Sequence, residues 1–432
     1  MKLAGRLLSG LLLAAWLALT GCGGGGGVGG SGFEGFMDGA SAGGPGVAGA
    51  GGGDTSVAGV GSGGTGISGE GVGSGGTGAV ADSGGIGSVD GFGSIIVNGT
   101  RFDTSTAQLL LEDTVSLRLG MTVRVSGTLS ADLASGTATL VLSAADLRGA
   151  VADLDVAAGR LSVLSAPVSV DPSTVYAGGL GSLADLRAGD TVQVHGLPGL
   201  GAQLRATRIE RLAAGALPVL SGTVQSLDPA QRTFTVAGVR VSYAGATLRG
   251  LWPASGLAEG QLVRVRARSP GDPLAADSVE PWYPLPAAGG GRFSLGGVLT
   301  RAAGLADLQV DGLPVDASGA QVSGGSAADL VPGVRVEVAG TLRAGVLVAT
   351  RLKLRHAPSA PPESHFSATG TIGAWQSPAS FRIQGQEIDA SGAGVVFVNG
   401  SAADLHNGRS ARVTGSRVVD DVLLAERVEF LP

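Results

Sequence analysis

One strand motif governs what this chain can fold into. Gly-x-x-Val-x-Val-x-Gly occurs as Gly120-Met-Thr-Val-Arg-Val-Ser-Gly127 and Gly189-Asp-Thr-Val-Gln-Val-His-Gly196. Weaker or shifted copies begin at Gly260, Gly333 and Gly408, so successive starts lie 69, 71, 73 and 75 residues apart. Alternation of apolar and polar residues is the period-two signature of a half-buried strand, and a fixed long period is the signature of a repeat architecture. Residues 86–432 carry this alternation throughout, broken by Gly, Asn and Asp, with no long amphipathic helical stretch.

Other signals keep phase with the motif. Upstream of it lie hairpins such as Ile95-Ile-Val-Asn-Gly-Thr-Arg-Phe102 and Leu308-Gln-Val-Asp-Gly-Leu-Pro-Val315. Asn98-Gly99 and Asp311-Gly312 suit tight turns that need positive φ. Leu164-Ser-Ala-Pro167 reads as a longer connection in the second copy. Ser182-x-x-Asp185, Ser326-x-x-Asp329 and Ser401-x-x-Asp404, each followed by Leu and then Gly, predict one helical turn with a capping box and a glycine stop. A further apolar strand closes each copy.

The order per copy is strand, two-stranded hairpin, helical turn, strand, strand. The expected fold is all-β, a tandem array of about five small OB-like five-stranded barrels, with another barrel closure left open. The expected limits are 86–147, 148–213, 218–283, 292–356 and 366–432. Units of about 65 residues are marginal alone, so neighbours should pack together. Breaks at Pro281–Pro286 with Gly289–Gly291, and at Pro358–Pro362, predict hinges, while the first two copies should abut.

The N-terminus supplies an address. Lys2 and Arg6 precede the apolar stretch Leu7–Leu19, too short for a transmembrane span of about 20 residues, and Leu19-Thr-Gly-Cys22 closes it. This tetrad resembles the lipobox of bacterial lipoproteins, which implies cleavage after residue 21 and lipidation of Cys22, the chain's single cysteine. Several acyl chains anchor far more firmly than one. By the sorting habit of such proteins, Gly23 favours the outer membrane of a Gram-negative bacterium. Residues 23–85 hold 30 glycines and a twelve-residue duplication at Gly59 and Gly71, a composition expected to form a disordered tether.

Asp90-Gly-Phe-Gly-Ser-Ile-Ile-Val-Asn-Gly99, continuing to Gly120-Met-Thr-Val-Arg-Val125, resembles a bacterial lipoprotein repeat family catalogued only as a domain of unknown function. So do Val170-Asp-Pro-Ser-Thr174 and the poly-glycine run behind the cysteine. The resemblance implies a cell-envelope lipoprotein and implies no reaction.

Chemistry is sparse. Removing residues 1–21 takes Lys2 and Arg6 and no acid from 29 basic and 35 acidic side chains, moving the net charge from −6 to −8. That balance excludes a phosphate-backbone binder, so no nucleic-acid partner is expected. His195, on the face opposite the valines of its strand, reads as a surface histidine, as do His356, His365 and His406, which fall in different copies or between them. Asp103, Asp171, Asp316 and Asp389 share a phase, each with Ser or Thr close behind, and read as turn caps. No catalytic set, metal site or cofactor is expected. Trp252, Trp282 and Tyr283, with Tyr243 nearby, form the one aromatic concentration of the chain, either a packed junction between copies or a platform for a sugar ring. The sequence thus points to a non-catalytic envelope lipoprotein serving as an interaction or structural module, or alternatively to a glycan binder built on those aromatics. The partner is the membrane, with an envelope protein or glycan.

Overall fold

The computed structural model describes residues 83–112, 114–250, 252, 256–283, 290–356 and 364–432. The export signal, Cys22, the break at Pro358–Pro362 and the tether up to residue 82 lie outside them. The fold is all-β, with five tandem repeats and almost no helix.

The first repeat sets the pattern. Its opening strand, Ser83–Phe92, pairs antiparallel with Ile95–Val97 on one side and with Thr122–Leu129 on the other. Ile95–Val97 pairs with Thr100–Asp103, which runs parallel to the last strand, Ser135–Ser143, and that strand returns antiparallel to Thr122–Leu129. The hydrogen bonding therefore closes on itself. The second and fourth repeats close in the same order. In the third the opening strand is split into Val219–Thr223 and Gln225–Asp228, and in the fifth the last strand is split into Val422–Leu424 and Arg427–Phe430. The strand opens at residue 83, so the folded chain claims Gly84 and Gly85, which the sequence had given to the tether.

The repeated glycines each have a steric or conformational cause. The one that opens the motif has positive φ in every repeat: 79° at Gly120, 91° at Gly189, 79° at Gly260, 95° at Gly333 and 89° at Gly408. Only glycine takes that conformation without cost. Its N–H bonds the opening strand at Val89, Val151, Val224, Leu299 and Ile372 respectively, at 2.8–2.9 Å. The glycine that closes the motif sits where the pairing register shifts, at Ser126/Gly127, His195/Gly196 and Ala339/Gly340. A Cβ at Gly127, Gly340 or Gly415 would lie 2.0–2.1 Å from a carbonyl oxygen of the next strand. Between these glycines the motif valines are fully buried.

Three expectations need correction. The helical turn exists as a 3-10 turn at Leu183–Asp185, Ala327–Asp329 and Ala402–Asp404, so in three repeats rather than all five among the described residues; a further 3-10 turn, Leu200–Ala202, lies elsewhere. Asp185, Asp329 and Asp404 do accept the backbone N–H of the serine three residues earlier, at 2.7–2.9 Å. The turns at Leu183–Asp185 and Ala402–Asp404 end in extended residues, Leu186 and Leu405, and in all three the following glycine starts the motif strand. Each repeat also has an extra strand of two to four residues before that point, such as Gln108–Leu111 or Val175–Ala177, parallel to its last strand. Leu164-Ser165 is no longer connection: both residues have positive φ, 52° and 68°, and Val163 pairs with Ala166, giving the same two-residue turn as Asn98-Gly99.

The larger correction concerns independence. The repeats are stacked and not discrete barrels. Gly84–Ile86 pair in parallel with Phe293–Leu295 of the fourth repeat, and Gly91–Phe92 with Ser367–Ala368 of the fifth. Leu147 and Arg148 pair with Val219 and Leu220 of the third, and Tyr176 pairs with Val419 of the fifth. The buried apolar residues fall into three clusters rather than five. Repeats one and five share one, two and three share another, and the fourth builds the last with Ile86, Ala144, Trp282 and Tyr283. The cause is size: one repeat buries too little apolar surface to stand alone. Glycines at 85, 91 and 93 let the first repeat approach its extra neighbours; a Cβ at Gly91 or Gly93 would meet a backbone oxygen at 2.8 or 2.6 Å. Trp282 and Tyr283, at the start of the break that opens at Pro281, are buried; residues 284–289 of that break lie outside the described residues.

Candidate functional site

Two buried polar junctions hold the repeats together, and beside one of them lies a cleft. Asp146 stands between repeats. Its carboxylate accepts from Thr122 Oγ1 at 2.7 Å (repeat one), from Gly196 N at 2.9 Å (repeat two) and from Trp282 Nε1 at 2.7 Å. Its backbone oxygen accepts from Ser221 N and Oγ, both 2.7 Å, in the third repeat. Burial pushes this carboxyl above its usual range, against the three donors. His195 lies in the same junction. It is 2% exposed, its Nδ1 3.1 Å from Thr122 Oγ1, so the surface placement expected from its strand is overturned. The outward face of a strand is buried here because repeat one covers it. Burial, then Arg208, Arg264 and Arg148, lower its pKa to about 3, so the ring is neutral.

The second junction gathers Ser88, Asp90, Asp171, Ser173, Arg335, Glu337 and Arg355. Arg355 donates to Glu337 at 2.6 Å and to Asp90 at 2.9 Å, while Arg335 donates to Ser88 Oγ at 2.7 Å and Ser173 Oγ at 3.0 Å. His356 and His365, expected to be unrelated, meet here with ring centroids 4.3 Å apart, and Arg355 Nη1 is 2.9 Å from His365 Nδ1. His406 is exposed. Asp103, Asp171, Asp316 and Asp389 each accept the backbone N–H two residues on at 2.8–3.0 Å, the turn-capping role read from the sequence. Asp171 alone also faces Arg335 at 4.0 Å and His356 at 3.7 Å.

The cleft, about 770 Å³, opens where repeats two, three and four meet beside Asp146. That volume is in the range of small-ligand sites. Its walls come from the loop Pro198–Leu204 of repeat two, the opening strand of repeat three with Gly260–Leu262, and the hairpin Gln309–Leu313 of repeat four. Trp252, Trp282 and Tyr283 all line it, so the structure brings the three aromatics together. They differ in what they offer. Trp282 and Tyr283 are 6% and 9% exposed, their centroids 4.4 Å apart, and the Arg264 guanidinium lies 4.7 Å from the Trp282 ring. Tyr283 Oη donates to Thr122 O at 3.3 Å, and its pKa is raised by burial and then by Asp146. These two rings are wall. Trp252 is half-buried, and its Nε1 has no hydrogen-bond partner among the described residues. Tyr243 packs on Phe234, centroids 5.6 Å apart, away from the cleft.

Polar groups converge that sequence reasoning missed. The side-chain amides of Gln203 and Gln225 make no hydrogen bond among the described residues, whereas those of Gln261 and Gln309 are occupied by turns. Asp311 accepts from Val298 N at 3.0 Å through Oδ1, and its other oxygen has no partner there. No arginine, lysine or histidine is among the described lining residues. The signal available beforehand was the hairpin phase: Asp311 occupies the turn position held by Asn98, Leu164, Ala237 and Gln384 in the other repeats, all with φ of 49–52°.

Five tandem β repeats, stacked and paired with one another, with a cleft where the second, third and fourth meet, define a tandem β-repeat protein. The family model "Domain of unknown function (DUF5666)" matches residues 83–141, 148–210, 221–280, 297–353 and 369–429. The chain belongs to that family. None of the curated proteins matches it.

Proposed function

We propose that this is a lipid-anchored cell-envelope protein, held to the outer membrane through Cys22, whose stacked repeats form a non-catalytic module that binds a glycan in the cleft between repeats two, three and four. The observation that carries the binding role is the convergence of three polar groups on one cleft beside the Trp252 ring: the amides of Gln203 and Gln225, and the Asp311 carboxyl. Sugars present apolar C–H faces and hydroxyl edges, and a largely apolar wall with a few polar groups suits both. In this reading each repeat is an OB-like barrel. The ring order, with the third principal strand parallel to the fifth, supports it, and in such barrels the loop between the last two strands commonly contacts oligosaccharides. In repeat two that loop, Pro198–Leu204, lines the cleft.

The test is a fluorescence titration of the full chain with neutral and acidic oligosaccharides. Saturable change in tryptophan emission, weakened at least tenfold by Trp252→Ala with Gln203→Ala, is expected. Unchanged emission across the panel removes the glycan role. Labelling cells with palmitate tests the anchor: label should enter the protein and be lost in Cys22→Ser, and label retained in that variant contradicts it.

A further inference from the structure

The cleft has an electrostatic character that specifies its ligand further. Its described lining includes two carboxyl groups, Asp146 and Asp311, and no cation. Asp146 is fully engaged by Thr122, Gly196 and Trp282. Asp311 is not: one oxygen accepts from Val298 N, and the other lies over Gly297, where a Cβ would stand 2.4 Å from it. Glycine at 297 thus leaves room for the carboxyl. The Asp311-Gly312 turn, with φ of 49° and 84°, fixes its position at the wall.

Resting on the glycan reading above, we infer that Asp311 is a specificity-determining residue that gives a hydrogen bond to an uncharged sugar and turns away anionic ones. Burial raises its pKa to about 8, with Arg335 the one charged group opposing the rise, so the carboxyl is protonated at neutral pH. A protonated carboxyl both donates and accepts, which suits a hydroxyl or an amide carbonyl. A carboxylate or phosphate brought to the same place meets no cation and remains unpaired, and a buried unpaired charge is strongly disfavoured. Of the other titratable groups of the cleft wall, Tyr283 stays neutral across this range, and Asp146, raised by burial, is held by its three donors.

The experiment is calorimetric titration of the full chain with a neutral gluco-oligosaccharide and its uronate counterpart of equal length, at pH 7 and pH 9.5. The neutral sugar should bind at least tenfold more tightly than the uronate at pH 7, and its affinity should fall about tenfold at pH 9.5. In Asp311→Asn, which keeps a donor at every pH, the affinity for the neutral sugar should be the same at both. A pH-independent wild type, or a uronate bound as tightly as the neutral sugar, overturns the inference while leaving the glycan reading standing. Binding of neither sugar at pH 7 overturns both.

Discussion

Gly340 stands where any side chain would run into the carbonyl oxygen of Val348, 2.1 Å from an ideal Cβ. Replacing it by alanine must spread the two strands at the bulge, at a cost of about 1–3 kcal/mol, read as a lower denaturant midpoint. Such glycines were legible as a pattern, and the structure supplies two unlike causes for one motif, positive φ at its start and close strand approach at its end. The third repeat keeps the register shift with Ala267 in the closing place, so the steric demand is not uniform. His195 was not legible, because its burial is imposed by Thr122, 73 residues away in sequence. Its pKa is lowered to about 3, and that of His365 to about 4 by burial and then Arg355. Both rings stay neutral when folded and take up protons near pH 6.5 when unfolded. The stability they contribute is present above pH 6.5 and lost as pH falls toward 4 and 3, so the thermal midpoint should drop between pH 7 and pH 5, and less so in His195→Gln. Asp311 has the opposite sign: a folded pKa of about 8 means stability lost as pH rises from about 4 to 8. Asp311→Asn should therefore raise the melting temperature at pH 7.5 and change it little at pH 3.5, and a lower value at pH 7.5 would argue against a strained, desolvated carboxyl.

At the scale of elements, strands were readable from alternation, and turns from Asn-Gly and Asp-Gly. What escaped were elements whose determinant is their partner. The extra strands, such as Thr247–Leu248, are two to four residues long, too short for alternation to register, and exist by pairing with the last strand of their repeat. Leu164-Ser165 forms a tight turn against its local preference because the flanking strands are already in register and Leu164 packs over Gly149. Ser165 is exposed with φ of 68°. Ser165→Gly is therefore expected to stabilise the protein by about 0.5–1 kcal/mol, seen as a raised unfolding midpoint with unchanged slope.

At the scale of the molecule, tandem order in sequence is not spatial order. Repeat one pairs with four and five, and repeat two with three and five. No motif in one repeat announces this. The glycine-rich opening strand was the available hint, and its composition blends into the tether before it. The cleft was illegible for the same reason, since Gln203, Gln225, Trp252 and Asp311 come from three repeats. The acidic network at Asp90, Glu337 and Arg355 spans repeats one and four; Arg355→Met leaves two buried carboxylates without their shared cation and should cost about 3–5 kcal/mol, measured by denaturant unfolding.

Fusion of the repeats through shared cores is tested most directly by amide hydrogen exchange on the full chain carrying Phe366→Ala. Phe366 opens the fifth repeat and belongs to the cluster that also buries Val89, Val123 and Val125 of the first. Exchange should accelerate at those first-repeat amides as well as at Ala411 and Val413. Acceleration confined to residues 366–432 would mean that five separate units were joined only by their linkers.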